Sequence, residues 1–182
     1  MPQSQLTEPA SNETYTPKFF ALNGRIGRVR YLGYSVGAGL LLMPVMFLLM
    51  GGAGMFSAMS GGADAAAGLG IVSMLAIYAL TGAATIILAR RRLHDLGKNG
   101  WLSLVMLIPL IGFFFWLWLI FGPGDVQSNE YGPPPGPNST GVIILACILP
   151  LFFVIGIVAA IAIPAYSGYA DKARAAQLEN SQ

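Results

Sequence analysis

The sequence predicts an all-α integral membrane bundle of about four transmembrane helices, and three observations predict it. Apolar residues make up 55% of the chain and charged residues only 10%, a balance far from that of a soluble domain. Four uncharged stretches, near 31–50, 69–89, 102–121 and 142–164, approach or exceed the ~20 helical residues that a hydrocarbon layer requires. All ten lysines and arginines fall outside those stretches. A mean hydropathy of +0.65 over 182 residues leaves no room for a second, soluble domain.

Residues 1–18 are polar throughout and lack a basic start followed by a short apolar core, so they read as a disordered tail and not as a cleavable signal. "NGRIGRVRY" then leads into helix one, with Arg25 and Arg28 three apart and therefore expected on one helical face. Within helix one, Gly33 and Gly37 form G-x-x-x-G, a spacing that lets another backbone approach closely. The segment 51–68 is glycine- and alanine-rich and reads as a flexible outside loop. Helix two ends in the arginine run Arg90–Arg92.

The third apolar stretch has Pro109 and Gly112 in its middle. A re-entrant turn is compatible with that pair, but the length of the stretch and its lack of charge favour a full crossing. After it, "GPGDVQSNEYGPPPGPNSTG" is turn-forming, with Asp125 and Glu130 its only acids. Residues 134–141 form a Pro/Gly linker to a last apolar helix and short tail, 142–182, in which Gly156 and Ala160 repeat the small-x-x-x-small spacing.

Lysine and arginine near helix ends stay on the cytoplasmic side. Lys18, Arg25, Arg28 and Arg30 precede helix one. Arg90, Arg91, Arg92 and Lys98 lie between helices two and three, and Lys172 and Arg174 follow helix four, whereas 51–68 and 122–141 carry none. With four crossings this puts both termini inside and both loops that lack basic residues outside. The orientation of helix four is the least constrained, because Asp171 and Glu179 offset its two cations.

The stretch "LARRRLHDLGKNGW" is the densest chemistry in the chain. Read plainly, Arg90–Arg92 end helix two at the headgroups, their stems snorkelling and their guanidinium groups meeting lipid phosphate. On a helix Arg91 and Asp95 are placed to pair, and Arg90 and His94 face one direction together. The sharper reading is a site for a headgroup, a small anion or a partner, built from Arg25, Arg28, Arg91, Arg92, His94 and Asp95. No nucleophile or paired carboxylate stands nearby, so no catalytic residue is assigned and an enzyme is not expected. Neither a metal site nor a cofactor is expected, and nothing suggests nucleic acid as a partner. Inside the spans there is no aspartate, glutamate, lysine or arginine, which disfavours coupled transport. Cys147 is the lone cysteine, so no intramolecular disulfide forms.

"FFALNGRIGRVRYLGY", "RRRLHDLGKNGWLSLVMLIPLIG" and "FGPGDVQSNEYGPP" together resemble the bacterial domain-of-unknown-function family 805 over residues 19–133. The matching positions are Gly24, Arg25, Arg28 and Tyr31; Arg91, Arg92, Leu93, His94 and Asp95; and Gly100, Trp101, Pro109, Gly112, Asn129, Tyr131 and Gly132. Asn99 departs from the serine usual there. The resemblance implies a small inner-membrane protein of the bacterial cell and implies no activity.

A second resemblance is local. "IGIVAAIAIPAYSGYADKARAAQ" is similar to the N-terminal helix of type IV pilins and pseudopilins at Gly156, Ala159–Tyr166 and Tyr169. Upstream, Cys147 stands where pilins have the glutamate used in assembly, and Val142 where they have the glycine before cleavage, so prepilin-peptidase processing is not expected. A pilin helix points its C-terminal end outward, in conflict with the inward placement above. The conflict disappears if helix three dips into the membrane without crossing.

These readings lead to a multi-pass, non-enzymatic scaffold or interaction protein, with membrane lipids and membrane proteins such as pilins or pilus-assembly components as partners. The packing motifs are compatible with a homo-oligomer. The alternative is a protein that handles anionic lipids or small anions, such as a transporter accessory, through its cytoplasmic Arg/His patch.

Overall fold

The computed structural model describes residues 14–60 and 63–179. Most of the tail expected at 1–18 lies outside them. In chain order the elements are α1 (Arg28–Ser60), α2 (Ala63–Asp95), a 3-10 segment (Gly100–Leu107), α3 (Ile111–Phe121) and α4 (Thr140–Glu179). The chain divides into two compact units, Met1–Ala146 and Cys147–Gln182.

Three helices are long and apolar enough to cross a membrane by length and composition: Arg28–Met59, Ala67–Asp95 and Thr140–Arg174. At 33 residues each, α1 and α2 run about 50 Å at 1.5 Å per residue, well beyond a ~30 Å hydrocarbon core. The extra turns come from 51–60 and 63–68, where a flexible loop was expected. Helix continues through 63–68 because alanine is the best helix former, and through 51–60 because each added residue closes one more backbone hydrogen bond once a helix is nucleated.

The third apolar stretch is not one helix. Its 3-10 arm has eight residues, about 16 Å at ~2.0 Å per residue, and α3 has eleven, also about 16 Å at ~1.5 Å per residue. Between the arms the Ile111 N–H donates to the Pro109 carbonyl (2.8 Å) around Leu110 at φ 65°, ψ −54°. That is a γ-turn of the rare, strained hand. Pro109 has no N–H to leave unsatisfied at the apex. Gly112 is needed there, because a Cβ on it would stand 2.7 Å from the Met106 carbonyl oxygen.

Both ends of this hairpin return to the same end of α2. Gly100 sits against Arg90 and His94. At the other end, the Arg92 guanidinium donates to the carbonyls of Leu119 (2.9 Å) and Gly122 (2.5 Å). The expected placement of 122–141 across the membrane from 90–98 therefore does not hold. The loop after α3 is hydrogen-bonded to the end of α2 directly, through Asp125 N–H to the Asp95 carbonyl at 2.7 Å.

The buried apolar cluster sits at this same end and includes Ile26, Tyr31, Tyr34, Leu93 and Leu119. Elsewhere large apolar side chains are exposed, among them Phe47 and Leu48 on α1 and Phe152 and Phe153 on α4. The G-x-x-x-G glycines of α1 lie against other parts of the chain. A Cβ on Gly33 would lie 2.7 Å from the Val142 carbonyl oxygen, and one on Gly37 would lie 3.2 Å from the Phe19 ring and 3.6 Å from Leu145, so these glycines let the first turns of α4 close on α1. By contrast, a Cβ on Gly156 would meet nothing within 4 Å, and Ala160 is exposed.

Candidate functional site

The polar groups of the first unit converge where α1 begins and α2 ends. Gly24, at φ +97°, turns the incoming strand of chain so that Arg25 points inward, and a Cβ at that position would collide with the Tyr15 side chain. The Tyr15 hydroxyl donates to the Arg25 carbonyl (2.5 Å) and accepts from the Arg25 N–H.

Arg25 is 0% exposed, and all five of its guanidinium N–H groups are used. Nε and Nη2 donate to Asp95 Oδ1 at 3.4 and 3.3 Å. Nη2 also reaches the Asp125 carbonyl (2.5 Å), and Nη1 reaches the carbonyls of Gln127 (2.8 Å) and Gly132 (2.9 Å). Asp95 Oδ2 accepts from Arg92 Nη1. Arg92, also fully buried, caps the carboxyl end of α3, where the last carbonyls lack helical partners and carry the negative end of the helix dipole.

One aspartate thus sits between two arginines, and backbone carbonyls supply the rest of the compensation. The unit is a clamp that ties the segment before α1, the end of α2 and the loop after α3. Gly124 is shaped to it, since a Cβ there would overlap the Asp95 carboxylate. Arg91 turns the other way. It donates to the carbonyls of Lys18 (3.0 Å) and Phe19 (3.3 Å) and lies 5.8 Å from the centre of the Tyr34 ring, a cation–π distance. Arg30 donates to the carbonyls of Gly136 (2.8 Å) and Pro137 (2.5 Å), which docks the expected linker onto α1.

The sequence-predicted site residues therefore separate. Arg25, Arg92 and Asp95 meet in the clamp. Arg91 does not pair with Asp95, because the i,i+3 geometry to Arg92 is taken instead. Arg28 is exposed and does not share a helical face with Arg25, since the helix begins only at Arg28. Snorkelling to lipid phosphate does not describe Arg91 or Arg92, which are 0% exposed. His94 points away from the clamp and stacks on Tyr131, with ring centroids 4.0 Å apart and planes 2° from parallel. Asn129 fixes that stack from behind by donating to the His94 carbonyl (2.9 Å) and to Asp125 Oδ2 (2.8 Å).

Beside the stack a cavity of about 530 Å³ opens between the 3-10 arm and the end of α2. Arg90, His94, Asn23 and Asn99 line its polar side, and Trp101 and Leu104 its apolar side. Arg90 and His94 do face one direction, as their spacing predicts. Sequence reasoning missed Tyr15 and the loop carbonyls as clamp partners, and gave Arg90 no place in the site. Tyr15 carried one usable signal: it is an isolated aromatic in an otherwise polar stretch. Among the described residues, no group of three His, Cys, Asp or Glu side chains is arranged to hold a metal ion.

The model of the family described as "Protein of unknown function (DUF805)" matches residues 19–133, a span that contains the α1–α2 pair, the hairpin and most of the clamp. The chain belongs to the DUF805 family. Of the positions that carry the DUF805 resemblance, Gly24, Arg25, Arg92, Asp95 and Gly132 belong to the clamp or its turns, His94, Gly100, Trp101 and Tyr131 line the adjoining cavity, and Pro109 and Gly112 shape the hairpin apex. No curated protein and no solved structure gives a significant match to this DUF805 chain.

Proposed function

We propose that this protein is a non-enzymatic scaffold or interaction protein of the bacterial inner membrane, with three crossings and one re-entrant hairpin. The observation that carries this reading is the clamp. Three of the four arginines that looked available for chemistry, Arg25, Arg91 and Arg92, are buried on the chain's own carbonyls and on Asp95, which leaves a rigid platform and an apolar α4 to make contacts. The hairpin's two ~16 Å arms match half of a ~30 Å hydrocarbon core, which supports a dip and return on the clamp side.

With that topology eight of the ten basic residues remain on one face, so the clamp lies at the cytosol. α4 then starts at the cytosolic face and leads outward, the orientation of the pilin helix that its sequence resembles. This removes the conflict raised by four crossings, reverses the inward placement of the C-terminus, and supports a partner among pilins or pilus-assembly components. A reporter fused after Gln182 tests the topology: periplasmic activity is expected, and cytoplasmic activity refutes it. Affinity isolation from native membranes, with and without residues 142–182, tests the role. Loss of protein partners with the truncated chain is expected, and retrieval of lipid alone from the full chain refutes a scaffold.

The open cavity favours a second role, the handling of anionic lipids or small anions, now centred on Arg90 and His94 and not on the buried arginines.

A further inference from the structure

We propose that the cavity bounded by Arg90, His94 and Trp101 binds a phosphate group. This deepens the second role above and rests on it. Arg90 is exposed and, among the described residues, makes no hydrogen bond or ion pair, unlike the buried arginines of the clamp. It lies one helical turn before His94, so a guanidinium and an imidazole face the same space.

Gly100 is what lets them do so. A Cβ there would stand 2.6 Å from Arg90 Cγ and 2.8 Å from His94 Nε2, so a side chain at this position would displace both. Ser103 also lines the cavity and is 2% exposed, and its hydroxyl makes no hydrogen bond among the described residues. The hydroxyl is therefore free to donate to a group that enters the cavity. Glu130 forms no ion pair with Arg90 or His94 among the described residues.

The lining is amphipathic. Arg90, His94, Asn23 and Asn99 offer N–H donors to a phosphate, while Trp101, 77% exposed, and Leu104 offer an apolar wall of the kind that belongs at a membrane interface. A guanidinium presents a planar fork of donors that matches phosphate oxygens, and stacking on Tyr131 holds the imidazole in place.

The full-length protein in nanodiscs of phosphatidylglycerol mixed with phosphatidylcholine provides the test. Native mass spectrometry would count retained lipid, with inorganic phosphate added in a parallel arm. The intact protein is expected to retain phosphatidylglycerol over phosphatidylcholine. Arg90→Ala and Gly100→Leu are expected to lower that preference about tenfold. Arg90→Lys should keep part of it, and Lys172→Ala, which removes an equal charge elsewhere, should keep all of it. Arg90 is exposed and outside the clamp, so its truncation leaves the fold intact; an unchanged melting temperature checks this.

Displacement of lipid by millimolar inorganic phosphate, or phosphate retention without lipid preference, supports the site and identifies a free anion as its source. Undiminished preference in Arg90→Ala and Gly100→Leu overturns the site and leaves lipid handling elsewhere on the protein intact. Absence of any preference in the intact protein, with no phosphate retained, overturns both.

Discussion

The two units of this protein are both built from apolar helix, yet they treat their polar groups in opposite ways. In Met1–Ala146, buried guanidinium groups reach across three chain segments, and five loop carbonyls between Asp125 and Pro137 accept from them. In Cys147–Gln182 the described side chains are almost all exposed, and Ser167 Oγ donates locally, to the Pro164 carbonyl (2.9 Å). In lipid, apolar side chains gain little by leaving the solvent, so specific association falls to hydrogen bonds, ion pairs and close backbone packing. The first unit has all three within itself. In the second, a Cβ at Gly156 would meet nothing within 4 Å.

The largest way to break this contrast is to remove the centre of the clamp. Asp95→Ala leaves Arg25 and Arg92 buried with no counter-charge, a loss of about 3–5 kcal/mol. Unfolding in detergent is expected to shift accordingly, and abundance in membranes to fall. A variant as stable as the parent would mean that the loop carbonyls alone neutralise both arginines.

Paired glycine substitutions sharpen the contrast. Gly33→Leu forces a side chain against the Val142 carbonyl and is expected to destabilise by about 1–3 kcal/mol. Gly156→Leu meets open space and is expected to change stability by no more than about 0.5 kcal/mol, while weakening recovery of protein partners if α4 is the contact surface. Equal destabilisation by both in detergent unfolding would erase the distinction between the units.

The contrast also explains which parts of the fold the residues declared in advance. Long uncharged runs announced α1, α2 and α4, because helix is the only chain conformation that satisfies its own backbone in lipid. Hydropathy could not see that α1 and α2 extend past the hydrocarbon core, since alanine and glycine outside it carry no apolar signal. It also could not see the reversal at 108–110, because an apolar hairpin and an apolar crossing have the same composition. Pro109 and Gly112 were the only residues to mark it. The clamp was half legible. Arg25, Arg92 and Asp95 stood out as charges beside apolar runs, but their partners are largely backbone carbonyls, which every residue has and no side chain advertises. Charge patterning therefore read as lipid anchors what the fold uses as internal ties. Arg28 and Arg90 keep the outward character that the pattern suggested, whereas Arg25, Arg30, Arg91 and Arg92 do not.

The smallest expected effect has the opposite sign. Leu110 holds φ at 65°, a conformation that strains any residue with a Cβ by about 1–3 kcal/mol, and its side chain is exposed at the hairpin apex. Leu110→Gly relieves the strain but gives the unfolded chain more freedom, which takes back about 0.5–1 kcal/mol. A net gain of up to about 1 kcal/mol in detergent unfolding is expected, with Leu110→Ala close to neutral. A loss on the scale of Gly33→Leu would show that the Leu110 side chain, and not the backbone turn, holds the apex. The hairpin would then depend on what covers it in the membrane, and the first unit would resemble the second in leaving part of its packing to partners.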